Sequence, residues 1–139
     1  MLKFIVACLA LLCASPASAD LFMPMDRGGN IAEYEAIVAA SPRPIKIDGY
    51  CMSACTIKLA KGCVTRRAVL MFHSAFDPVI AGRSGPWAGM SPGGNEVLMR
   101  YYPRRIAEHV RKNGWLLSPS YSEMTGAEAI KLGIPECKK

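Results

Sequence analysis

The segment IDGYCMSACTIKLA, residues 47–60, constrains the fold more than any other stretch of the chain. Residues 45–48 read as a short buried strand, Gly49 breaks it, and residues 53–60 read as a two-turn helix. A serine therefore stands at a strand-to-helix junction, with Cys51 and Cys55 on either side of it. Two readings follow. In the structural one Ser53 caps the helix, the usual duty of a serine at a helix start, and the cysteines are staples. In the chemical one Ser53 is a nucleophile, which needs a base within hydrogen-bond reach to remove its proton.

The compartment bears on both readings. Lys3, an apolar run over residues 4–12 and the small residues Ala17, Ser18 and Ala19 form the pattern of a secretory signal over residues 1–19. The run is shorter than the roughly 20 apolar residues that span a bilayer, so no stable membrane anchor is expected. Lipid attachment at Cys13 is disfavoured because Leu12 stands where a small residue belongs. Removing 19 of the 139 residues leaves 120, residues 20–139, enough for a single domain, periplasmic or secreted. Lys3 is the only charged residue of the signal, so the formal charge falls by one, from +6 to +5. Much of the excess sits in residues 99–114, with Arg100, Arg104, Arg105, Arg111 and Lys112. No stacking aromatics or nucleic-acid motif accompany these residues, so they read as a solvated face and no nucleic acid is expected.

Cysteine use agrees with export. Cys8 and Cys13 leave with the signal, and the remaining Cys51, Cys55, Cys63 and Cys137 are an even set that predicts two disulfides with three connectivities. Cys55 with Cys63 reads as a local bridge and Cys51 with Cys137 as the long one. A zinc site from Cys51, Cys55 and Cys63 lacks the paired C-x-x-C spacing, so no metal and no cofactor is expected.

The other elements follow from periodicity and punctuation. Asn30 reads as the cap of a helix with Ile31, Tyr34, Ile37 and Val38 inward, stopped by Pro42 and Pro44. Residues 67–73 read as a buried strand ending in His73, and the Pro- and Gly-rich residues 77–94 as a long loop or lid beside the site, with Trp87 as an apolar contact. A helix over 95–112 presents Val97, Tyr101, Ile106 and Val110 inward and should be interrupted at Pro103. A short helix from near Thr125, bearing Ala127, Ile130 and Leu132, turns at Gly133 into a terminal strand. The two Gly-Gly-Asn triplets, at 28–30 and 93–95, read as turn-to-helix chemistry, and His109 reads as a surface residue.

In this order, DRGGN, GYCMSACT, AVLMFHSA and MTGAEAIKLGI resemble the Gly-Gly turn, nucleophile segment, histidine strand and closing helix of the ClpP/crotonase superfamily, especially small exported relatives of the Clp protease proteolytic subunit. The resemblance covers residues 26–134. It implies an α/β fold, a mostly parallel sheet with flanking helices, shortened at the N-terminus so that one sheet edge is open to pairing with another copy. It also implies Ser53 as nucleophile and His73 as base, with amides of Ala54 and of Gly28 or Gly29 around an oxyanion. Where the family carries its acid, near Tyr121, this sequence has none; Glu123 and Asp77 are the nearest carboxylates in sequence.

Two functions from different classes result. One is a serine hydrolase, peptidase-like, acting on a peptide or other acyl substrate through an acyl-enzyme. The other is a non-catalytic, disulfide-stabilised envelope binding or assembly protein on the same scaffold. Coenzyme A ester chemistry, known in crotonases, fits poorly with export, and no adenine pocket is marked in the sequence.

Overall fold

A computed structural model describes residues 23–77 and 89–138. The predicted signal and most of the predicted lid, Trp87 included, lie outside the described residues. In chain order the elements are β1 (Met25–Asp26), α1 (Ile31–Ala40), β2 (Ile45–Ile47), β3 (Tyr50–Met52), a 3₁₀ helix (Ser53–Ala60), β4 (Gly62–Val64), β5 (Val69–Phe72), α2 (Pro92–Tyr101), α3 (Arg104–Lys112), β6 (Ser122–Thr125) and α4 (Gly126–Lys131). The main sheet has the order β1-β3-β5-β6, parallel except for the antiparallel β5·β6 pair, and β2 and β4 form a separate parallel pair. The chain is therefore mixed α/β, with a mostly parallel sheet and flanking helices. No helix among the described residues is long and apolar enough to cross a membrane.

Local chemistry accounts for most boundaries. Asn30 caps α1, its side chain accepting from the Ala32 amide at 2.9 Å. Of the residues expected on the inner face of α1 only Val38 is buried. Ile37 is 43% exposed, while Ile31 and Tyr34 are partly buried against the core and the Tyr34 hydroxyl donates to Asp26 across the β1 turn. The strand predicted over 45–48 ends at Ile47. Gly49, at φ +117°, passes so close to Pro24 that a Cβ would lie 2.2 Å from its carbonyl oxygen, and the chain restarts as β3 in the other sheet.

The helix expected over 95–112 is two helices. Ser91 caps α2, accepting from the Gly94 amide at 3.1 Å. Pro103 lacks an N–H and forces Tyr102 before it into extended backbone, so α3 starts afresh at Arg104. Leu98, Tyr102, Ile106 and Val110 are buried in place of the expected set with Val97 and Tyr101. Thr125 closes β6 and opens α4 through a capping box with Glu128. Beyond Gly133 the expected strand reduces to one bridge, Val64 to Glu136. The core joins β5, the 3₁₀ helix, α2 and α3, and Phe72, fully buried, meets the Tyr102 ring edge-on at 5.4 Å.

All four cysteines among the described residues are in disulfides, but the pairing differs from the one expected. The bridges are Cys51–Cys55 and Cys63–Cys137. The β2·β4 pairing turns Cys63 towards the chain end, where the Cys137 amide donates to the Val64 carbonyl at 3.0 Å. Cys55 is left for Cys51, four residues away across the strand-to-helix joint.

Candidate active site

Strands β1, β3 and β5 run parallel and side by side, so the residues following their C-terminal ends lie in a row: Gly28 and Gly29, then Ser53, then His73. The carboxyl edge of such a sheet is where α/β proteins carry their sites.

Ser53 has φ +54°, the only positive φ among the described non-glycine residues. That conformation costs an ordinary residue roughly 1–2 kcal/mol. The neighbours hold it there. Thr56 Oγ1 donates to the Ser53 carbonyl at 2.6 Å and lies 2.8 Å from the Tyr102 hydroxyl, and all of Thr56 is buried. Ser53 is the first residue of the 3₁₀ helix, the cap position belongs to Met52, and no side-chain capping bond is made. The capping role expected of a serine here is absent, which leaves the hydroxyl free for other work.

Gly28 sits at φ +74°, where a Cβ would fall 2.4 Å from the Met52 carbonyl oxygen and 3.0 Å from the Ser53 Cβ. Its amide donates to Asp26 Oδ1 at 3.0 Å. Gly28 is thus a close-approach glycine with a spent amide, which corrects its expected place among the oxyanion donors. Gly29 and Ala54 line the cavity in front of Ser53, and the Ala54 amide lies in the first turn of its helix, where amides lack intrahelical acceptors. Asp26 organises this corner, accepting from Gly28, Tyr34 and Lys58. Burial pushes its carboxyl up, but these hydrogen bonds and the Lys58 charge outweigh that and hold it below the ordinary value of 3.8.

His73 follows β5 and faces the same cavity, about 650 Å³, as Ser53, Ala54 and Gly29; Ile31, Phe76 and Leu98 give it an apolar wall. Its Nε2 is buried without a hydrogen-bond partner. Burial lowers the imidazole below its ordinary 6.5, and the Ser74 backbone, which engages the ring, acts weakly in the opposite direction. Neutral imidazole with an unpartnered Nε2 is the form that accepts a proton. Ser53 and His73 line the same cavity without a hydrogen bond from the serine to Nε2, and apo catalytic contacts commonly tighten only with substrate.

At the position near Tyr121 where the resemblance implies an acid, an aromatic ring meets the histidine. Tyr121 packs edge-on against His73 at 4.7 Å between centroids. Glu123 pairs across the sheet with Met71 and lines a different cavity with His109 and Trp115. Asp77 is the carboxylate that shares the Ser53 cavity. His109, expected at the surface, is half-buried and edge-on to Trp115 at 4.9 Å.

Of the predicted lid, the described Asp77 and Ser91 line the cavity, together with the preceding Ala75 and Phe76, and the Ser91 amide donates to the Ala75 carbonyl at 2.8 Å. Asn95, expected to serve turn chemistry, instead accepts from the Ala75 amide at 2.6 Å and donates to the Leu116 carbonyl at 2.9 Å, fixing the segment after His73. Its side chain sits inside α2, a position that no local motif marks. The chain matches no family model and no curated protein.

Proposed function

We propose that the protein is an exported serine hydrolase resembling the ClpP/crotonase group, with Ser53 as nucleophile and His73 as base. The observation that carries the reading is the left-handed Ser53 at the β3-to-helix joint, lining one cavity with His73, whose buried Nε2 has no hydrogen-bond partner. Strained backbone at a functional side chain is a recurrent way of aiming it. Ser53 Oγ attacks a substrate carbonyl while its proton passes to His73 Nε2. The carbonyl oxygen gains the charge and takes hydrogen bonds from Ala54 and Gly29 amides. Collapse expels the leaving group, which collects the proton from His73, and leaves an acyl-Ser53 ester that water, activated by the same ring, hydrolyses.

The apolar wall of Ile31, Phe76 and Leu98 suits an acyl or peptide substrate with an apolar group next to the scissile bond. The sequence has no acid near Tyr121, where the resemblance places one, so the site is read as a Ser-His dyad. Loss of that charge slowed one serine protease about ten-thousand-fold, so slow turnover is expected. Two disulfides agree with an oxidising compartment outside the cytoplasm.

Tyr121 in place of the acid also favours the rival reading, a non-catalytic envelope binding or assembly protein. Its self-association would use the β1 edge, where Met25 is 49% exposed. A serine-directed fluorophosphonate separates the two. The hydrolase forms an adduct that maps to Ser53 and is lost in folded Ser53→Ala and His73→Ala, whereas the binding protein stays unlabelled at Ser53.

A further inference from the structure

We infer that the Cys51–Cys55 disulfide is the positioning clamp of the candidate nucleophile, holding Ser53 in its left-handed conformation so that the site is competent only when this bridge is oxidised. The chemical half of the inference rests on the hydrolase reading; the conformational half does not.

The bridge brackets Ser53 symmetrically, two residues to either side. Cys51 is fixed in the middle of the sheet, opposite Asp26 of β1 and Leu70 of β5, and Cys55 is fixed in the 3₁₀ helix. Both are 1% exposed. Their Cα atoms are 5.3 Å apart, whereas four extended residues span about 13 Å. The reversal has to be made within Met52, Ser53 and Ala54, and Ser53 takes the unfavourable φ.

The stabilisation a disulfide draws from chain entropy grows with the loop it closes. With a sequence separation of 4 against 74 for Cys63–Cys137, the short bridge contributes the lesser share of global stability and acts as a local restraint. A cavity of about 360 Å³ lined by Cys51, Cys55, Lys46 and Lys58 reaches the bridge and shares no lining residue with the Ser53 cavity. Lys58 and Lys46 are paired there with Asp26 and Asp48, which line the same cavity. A dithiol reductant supplies two electrons and two protons: the sulfur–sulfur bond becomes two thiols and the reductant becomes a cyclic disulfide. Ser53 is then free to leave φ +54° and its hydroxyl turns away from His73.

The test compares wild type with Cys51→Ala/Cys55→Ala, using Cys63→Ala/Cys137→Ala as the control. Two quantities are read: the Ser53 φ from backbone couplings and chemical shifts by NMR, and the maximal rate and half-saturating concentration for fluorophosphonate labelling. The expected result is loss of the positive φ and a fall of about tenfold or more in the maximal rate, with half-saturation and circular dichroism unchanged, in the 51/55 variant alone. Should that variant fail to fold, selective reduction of Cys51–Cys55 in the folded control variant gives the same comparison, and reoxidation should restore the rate. A positive Ser53 φ that survives loss of the bridge overturns the inference, as does an unchanged labelling rate. Wild type that does not label while φ responds to the bridge overturns the hydrolase reading and leaves the clamp standing.

Discussion

At Ser53 the backbone carries strain that a glycine would not feel. Ser53→Gly is therefore expected to be about 1–2 kcal/mol more stable than Ser53→Ala in chemical denaturation, while both lose the nucleophile. A plain capping serine also puts glycine above alanine but leaves wild type the most stable of the three, whereas relief of strain puts Ser53→Gly at or above wild type, so the comparison with wild type separates the two. Thr56 supports the strained residue from below. Thr56→Val breaks its bond to the Ser53 carbonyl and strands the buried Tyr102 hydroxyl, at a cost of about 1–3 kcal/mol, and Tyr102→Phe in that background should recover part of it. His73 sets the pH response. Its folded value lies below the ordinary 6.5, so the neutral base persists to lower pH than in an ordinary histidine. Labelling at Ser53 should show an acid limb with its midpoint below 6.5. The same depression means that the His73 contribution to stability is present above 6.5 and is lost as pH falls through the folded value.

At the level of elements, the parts of the site that lie on contiguous, punctuated sequence are the ones that can be read without coordinates. Gly49, Pro103, the Asn30 cap and the Thr125 box each mark a boundary by local chemistry, and the strand-serine-helix order is visible for the same reason. Strands β1, β4 and β6 are only two to four residues long, too short for an alternating pattern to declare them. With them goes the sheet order, and hence the fact that Asp26 clasps Gly28, Tyr34 and Lys58 around the Gly-Gly turn. The disulfide pairing is hidden likewise, because the β2·β4 register decides which cysteine Cys137 meets. The close packing of the β1 turn on the 3₁₀ helix makes a sharp prediction. Gly28→Ala drives a methyl into the Met52 carbonyl and demands a strained φ, so it should cost at least about 1–3 kcal/mol and slow labelling of Ser53, measured on protein shown to be folded.

For the whole molecule, the long bridge and the carboxylates set the conditions under which the site exists. Removing Cys63–Cys137, with its separation of 74, should cost about 2–5 kcal/mol, more than removing Cys51–Cys55, when both double-alanine variants are melted side by side. Asp48 is drawn down to about 2 by the Arg67 guanidinium and the Thr65 hydroxyl, so its contribution is present above the ordinary 3.8 and disappears as pH falls through about 2. Acid unfolding should accordingly steepen between about pH 4 and pH 2, and Asp48→Asn should flatten that part of the curve. The central claim, that Ser53 and His73 act as nucleophile and base in one cavity, is tested most directly by trapping the acyl-enzyme. Folded protein is mixed with an activated acyl ester, quenched in acid and mapped by peptide mass spectrometry. The account predicts one acyl group on Ser53 in wild type, none there in Ser53→Ala, and acylation slowed by orders of magnitude in His73→Ala. Acylation of Ser53 at an unchanged rate in His73→Ala, or an acyl group that maps elsewhere while Ser53 stays free, would contradict it.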